Sequence, residues 1–151
     1  YGSSIYSCAP VPIQYATHEL LENKEIYNTY IERTKTLYSH VIKEIIPFLD
    51  NTKLKHPGIE SSWYVYLDFK SYKEGLNKIG VQDSIQLSHY LMVNYHILTV
   101  AAQHFGDDSL SLRFSLVDFE IDLEKEDIKD VNTVNMKEGF QHLVRFLDSL
   151  E

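Results

Sequence analysis

With 151 residues, 44% of them hydrophobic and 24% charged, the chain is long enough to bury a core, and wholesale disorder is excluded. Its formal net charge of -8, from 14 Lys and Arg against 22 Asp and Glu, argues against a nucleic-acid partner, because phosphate binding needs clustered cations. Cys8 is the only cysteine, so neither an internal disulfide nor a thiolate metal centre can form, in keeping with a reducing, cytoplasmic compartment. No apolar run approaches a membrane span, and no signal-peptide pattern opens the chain.

In chain order, YGSSIYSCAPVP is rich in Gly, Ser and Pro and predicts an irregular entry segment. Pro12 suits the first turn of a helix, where its missing N–H costs nothing, and a short helix over Ile13 to Leu21 follows. Glu22 to Glu25 reads as a polar interruption. Ile26, Tyr30, Arg33, Leu37, Val41 and Ile45 then recur at spacings of three and four, which predicts a long amphipathic helix ending near Pro47 and Phe48. Its tyrosines read as core and dimer-side packing. Asp50-Asn51-Thr52 and His56-Pro57-Gly58 mark a loop.

The period changes in SSWYVYLDF. Trp63, Val65, Leu67 and Phe69 alternate with Tyr64, Tyr66 and Asp68, the pattern of a strand with one apolar face. Ser84 reads as the N-cap of a helix carrying Leu87 and Leu91 to about Asn94. His96 to Val100 predicts a short apolar strand, and Phe105-Gly106-Asp107-Asp108 a turn. In SLSLRFSLVDFEID, Leu110, Leu112, Phe114 and Leu116 share one face, with Ser111, Arg113, Ser115 and Val117 on the other. After an acidic stretch, Met136, Phe140, Leu143, Val144, Leu147 and Leu150 form the stripe of a last helix, with Asn135 and Glu138 compatible with a capped start.

The expected fold class is α+β: a small, mostly antiparallel sheet of about three strands with helices packed on one face, one of them long and amphipathic. That order of elements, with four local patterns, resembles the C-terminal small domain of fold-type I pyridoxal-phosphate enzymes of the class I/II aminotransferase group. The patterns are APVPIQYATHELL from Ala9 to Leu21, ESSWYVYLDF, LTVAAQHFG and LSLRFSLVDF. They resemble, in turn, the run opening the helix ahead of the long one, the strand usually written P-x-G-x-F-Y, the strand followed by Pro-Gly-x-x-Phe, and the strand whose central Arg holds the substrate α-carboxylate. The resemblance runs from about Ser7 to Leu150, and it departs from the family at Ser61, where Gly is usual, and at Ala101-Ala102, where Pro-Gly is usual.

The resemblance implies that Arg113 binds the substrate carboxylate, and a mid-strand guanidinium opposite four large apolar residues suits that task through paired hydrogen bonds. His104, before Phe105-Gly106, and Ser115, on the face of Arg113, are further candidate substrate contacts. It also implies a single small domain over residues 1–151, with 1–9 (including Tyr6, Ser7 and Cys8) as the linker from a large domain. The chain opens on Tyr1-Gly2, not methionine, in keeping with a piece of a longer protein. That parent would be a homodimer carrying pyridoxal 5'-phosphate, with amino acid and 2-oxo acid as substrates. The Schiff-base lysine and main phosphate contacts belong to the family's large domain, so the chain alone is expected to be inactive, without catalytic residues or tightly bound cofactor. Seven histidines show no metal-ligand spacing, so no metal is expected. Two alternatives remain: a free-standing, non-catalytic α+β module that binds a small carboxylate or a protein, and a lyase, decarboxylase or acyl-condensing relative on the same scaffold.

Overall fold

Alternating apolar residues in the middle of the chain become a three-stranded antiparallel sheet of order β1–β3–β2 in the computed structural model, which describes residues 10–59, 63–121 and 131–151. The expected linker over 1–9, Ser61, and the acidic stretch at 122–130 lie outside the described residues. β1 is Tyr64–Asp68, β2 is Val100–Ala101 and β3 is Ser111–Ser115. β3 is central, so Arg113 has Tyr66 opposite it in β1 and Val100 opposite it in β2. Side chains alternate across a strand. Val65, Leu67, Ala101, Leu112 and Phe114 are therefore buried on one face, while Tyr64, Tyr66, Arg113 and Ser115 stand on the other.

The chain divides into two compact units, Tyr1–Thr36 and Leu37–Glu151. In the first, helix α1 spans Val11–Glu22 with Pro at its start, and α2, Lys24–Asp50, begins after a single break at Asn23. The Asn23 side-chain oxygen accepts from the Ile26 N–H at 3.3 Å. The interruption expected over Glu22 to Glu25 thus narrows to one residue, because that side chain satisfies an orphan N–H and lets the helix restart at once. No residue of α1 is buried.

The second unit holds the core. Val41, Ile42, Ile45 and Leu49 of α2 are buried with residues of α3, Lys73–Lys78, of α4, Ser84–Tyr95, and of α5, Val134–Asp148. The apolar face of the sheet joins this cluster, with Phe69 and Phe114 ring centroids 6.5 Å apart and Phe114 and Phe140 5.9 Å apart. The fold is α+β, with helices on the one apolar face of the sheet.

Several local expectations are corrected. α2 continues to Asp50 with Pro47 inside it, since a proline removes one helical bond without forbidding the next turn when the buried stripe continues to Leu49. Of the tyrosines on α2, Tyr27 and Tyr30 are exposed and Tyr38 is half-buried outside the core cluster, its ring 5.9 Å from that of Trp63 and 6.0 Å from that of Phe119. The cap of α4 is Asp83, whose carboxylate accepts from the Gln86 N–H at 2.8 Å, while Ser84 is fully buried. α5 starts at Val134 after Thr133, and the side chain of Asn132, not Asn135, accepts from the Val134 N–H. Lys70–Tyr72 forms a 3-10 turn leading into α3, an element the apolar periodicity does not signal over so short a run. The strand expected over His96 to Val100 shrinks to Val100–Ala101. His96, at φ 58°, ends α4, and the Thr99 carbonyl accepts from the Ser88 hydroxyl at 3.0 Å.

Candidate functional site

Arg113 leaves the middle of the central strand on the face away from the core, and its side chain is half-buried there. A charge in that position needs either water, an acid or an aromatic surface. It has the last. The guanidinium carbon lies 4.2 Å from the Tyr64 ring centroid and 4.9 Å from that of Phe105. Tyr64 reaches it from β1, and Phe105 from the 3-10 helix Ala102–Phe105 that follows β2. Tyr64 is itself backed by Trp63, 5.7 Å away ring to ring, and Trp63 by Tyr38.

Among the described residues Arg113 has no acid within ion-pairing distance, and its Nε is buried without a hydrogen-bond partner. Buried donors are nearly always paired, so an orphaned guanidinium nitrogen points to a missing acceptor. Two aromatic rings pack against the guanidinium, and the edge of a guanidinium matches a planar anion able to accept two parallel bonds.

The neighbouring acid is engaged elsewhere. Tyr66, opposite Arg113, donates from its hydroxyl to Asp107 Oδ2 at 2.6 Å, and the Ser109 hydroxyl lies 2.8 Å from the same oxygen. The Ser109 N–H donates to Asp107 Oδ1 at 2.9 Å. These neutral donors, the Tyr66 phenol first, hold the Asp107 carboxyl below its usual range. Burial, and then the bond to Asp107, push the Tyr66 phenol up from its ordinary value.

Ser115, two residues after Arg113, shares its face and is exposed opposite Tyr64. Both residues border an open groove of about 600 Å³ that runs from β3 past Leu98 and Thr99 to Met136 and Phe140 of α5. The groove exists because β2 is only two residues long, so the segment before it stands off from the end of β3. His104 is exposed in the Ala102–Phe105 helix, and no described hydrogen bond or ion pair links its ring to Arg113 or Ser115. The structure brings Arg113 and Ser115 to one face and sets His104 beside the residue that covers Arg113. Tyr64, Phe105, Tyr66 and Asp107 were not singled out in the sequence. The strand alternation had placed Tyr64 and Tyr66 on the polar face, but which strand lies beside β3 is not written in local pattern.

Among the described residues, no three His, Cys, Asp or Glu side chains gather as metal ligands, and no helix is long and apolar enough to cross a membrane. No protein-family model matches the chain, and no curated protein matches its sequence.

Proposed function

We propose that the chain is the C-terminal small domain of a cytoplasmic, homodimeric, pyridoxal-phosphate-dependent aminotransferase, and that Arg113 binds the α-carboxylate of its amino acid and 2-oxo acid substrates. The observation that carries the reading is the state of Arg113: mid-sheet, packed against two aromatic rings, with a buried Nε that lacks a partner among the described residues. The sequence resemblance supplies the reaction class. Pyridoxal phosphate needs an amine for its aldehyde, and no lysine lines the groove bordered by Arg113. The described residues at this site therefore do not fit the cofactor by themselves, and no chemical step is assigned to them. Their part is to bind a carboxylate and fix its orientation, with Ser115 and His104 as further candidates for substrate contact.

The ring cover of Arg113 is formed wholly within this chain, which equally favours the second reading, a free-standing carboxylate-binding module. Reading the coding sequence upstream of Tyr1 separates the two. An open frame of roughly 200–250 further residues, a large domain's worth, with a Ser-x-x-Lys motif is the expected result. A start codon directly before Tyr1 would sink the aminotransferase reading.

Arg113→Lys in the full-length protein tests the residue. Lysine keeps the charge and loses the fork, so the KM for amino acid should rise about 10- to 100-fold, the loss expected for a charged hydrogen bond. Unchanged KM and kcat would count against the assignment.

A further inference from the structure

The cover over Arg113 depends on where the turn after β2 is held. Phe105 is 52% exposed, and it makes none of the ring–ring contacts found among the described residues, so side-chain packing does little to fix it. Gly106 follows with a φ of 76°, a left-handed conformation that reverses the chain and that glycine adopts without strain. Asp107 comes next, and its carboxylate takes the Tyr66 hydroxyl at 2.6 Å. Tyr66 stands directly opposite Arg113 in the sheet. This side-chain hydrogen bond ties β1 to the turn that carries Phe105, beside the turn's own backbone bonds from the Gly106 and Asp107 N–H groups to the Gln103 and Ala102 carbonyls.

We propose that Tyr66 and Asp107 form a positioning latch for the anion site: their phenol–carboxylate hydrogen bond holds the turn so that Phe105 lies over the Arg113 guanidinium. The placement of that ring shapes the approach of a planar carboxylate to Arg113. The ligand part of the inference rests on the carboxylate reading of Arg113; the latch itself does not. A second tie works with it, since the Gln103 N–H donates to the buried Ser84 hydroxyl at 3.3 Å, anchoring the start of the turn to α4. Asp107 accepts from Tyr66 and Ser109 and forms no ion pair with Arg113 among the described residues. The latch thus seats the ring through a carboxylate that does not bridge to the guanidinium.

The test is NMR of the isotopically labelled 151-residue chain. Protons on Arg113 Cδ and Nε lie near two rings and should resonate upfield, with Phe105→Leu calibrating the share due to Phe105. Tyr66→Phe and Asp107→Ala should remove most of that share. Asp107→Asn keeps an amide oxygen to accept from Tyr66 but sets its NH2 against the Ser109 N–H, so it should restore part of it, which a loss of general stability would not produce. Pyruvate, titrated while the Arg113 Nε–H signal is followed, should bind about 3- to 10-fold more weakly to Tyr66→Phe, as for the loss of one cation–π contact. Arg113 shifts identical to wild type in a folded Tyr66→Phe overturn the latch, and that variant, lacking one hydroxyl, carries the test even where Asp107→Ala fails to fold. An Arg113 signal that pyruvate does not move in the wild type overturns the carboxylate reading instead, with the latch still judged by the ring shifts.

Discussion

Tyr66 and Asp107 shift in opposite directions: burial and then the bond to Asp107 raise the phenol, while donors led by that phenol lower the carboxyl. The Tyr66 phenol is raised above 10.0, so the fold binds its proton more tightly than the unfolded chain does. The stability it contributes is complete below the unfolded value and is lost as pH climbs through the folded one. The Asp107 carboxyl is lowered below 3.8, so its contribution is complete above the unfolded value and is lost as pH falls through the folded one. The hydrogen bond is therefore at full strength on a plateau from roughly pH 5 to 9. Melting wild type and Tyr66→Phe across pH should give a Tm difference that is flat on the plateau and narrows below about 4 and above about 10. A difference that persists unchanged at pH 3 would mean the carboxylate is not what Tyr66 serves.

At the scale of elements, α3 shows sequence preference yielding to packing. Gly75 lies inside this six-residue helix, where alanine would be favoured by about 1 kcal/mol on propensity alone. A Cβ at that position would sit 2.8 Å from the Leu150 Cβ and closer still to the Leu150 carbonyl oxygen. Backbone cannot swing aside as a long side chain can, and such overpacking costs about 1–3 kcal/mol. The clash outweighs the propensity, so Gly75→Ala should lower Tm by a few degrees, at roughly 2–4 °C per kcal/mol for a chain of this size. A Tm equal to or above wild type, read by calorimetry, would show that the C-terminal residues after α5 yield freely. The same competition shortened the strand before Ala101. Apolar residues at Ile97 and Leu98 fit a strand, but Ser88 captures the Thr99 carbonyl, and Leu98 ends up 78% exposed.

For the whole molecule, burial divides the chain unequally. The core cluster lies entirely within Leu37–Glu151, while in the described part of Tyr1–Thr36 no residue is buried. Isolated helices of such length are marginal in water, because nucleation is costly and packing supplies most helical stability. Amide exchange should follow that division. Amides of α1 and of α2 up to Thr36 are expected to exchange by local opening, well before those of β3, α4 and the second half of α2, which should approach the global limit. Equal protection in α1 and β3 would show that the first unit draws on packing beyond what its own residues provide.

The sequence alone determined the class of the fold and the two faces of its strands. A period of two residues, or of three to four, is a local property that survives any tertiary arrangement. It therefore put Leu112 and Phe114 inward and Arg113 and Ser115 outward, and it found the long helix and the last one. It could not supply what depends on residues far apart meeting. Tyr64 is 49 positions from Arg113 by the numbering, and only the antiparallel register of β1 on β3 lays its ring over the guanidinium. Phe105 reaches the guanidinium from the turn after β2, which a left-handed glycine and the Tyr66–Asp107 bond shape. Arg113 could be named from its strand. That it stands against two rings, with a buried nitrogen unpaired among the described residues, was decided by strand pairing and turn geometry, which no local pattern encodes.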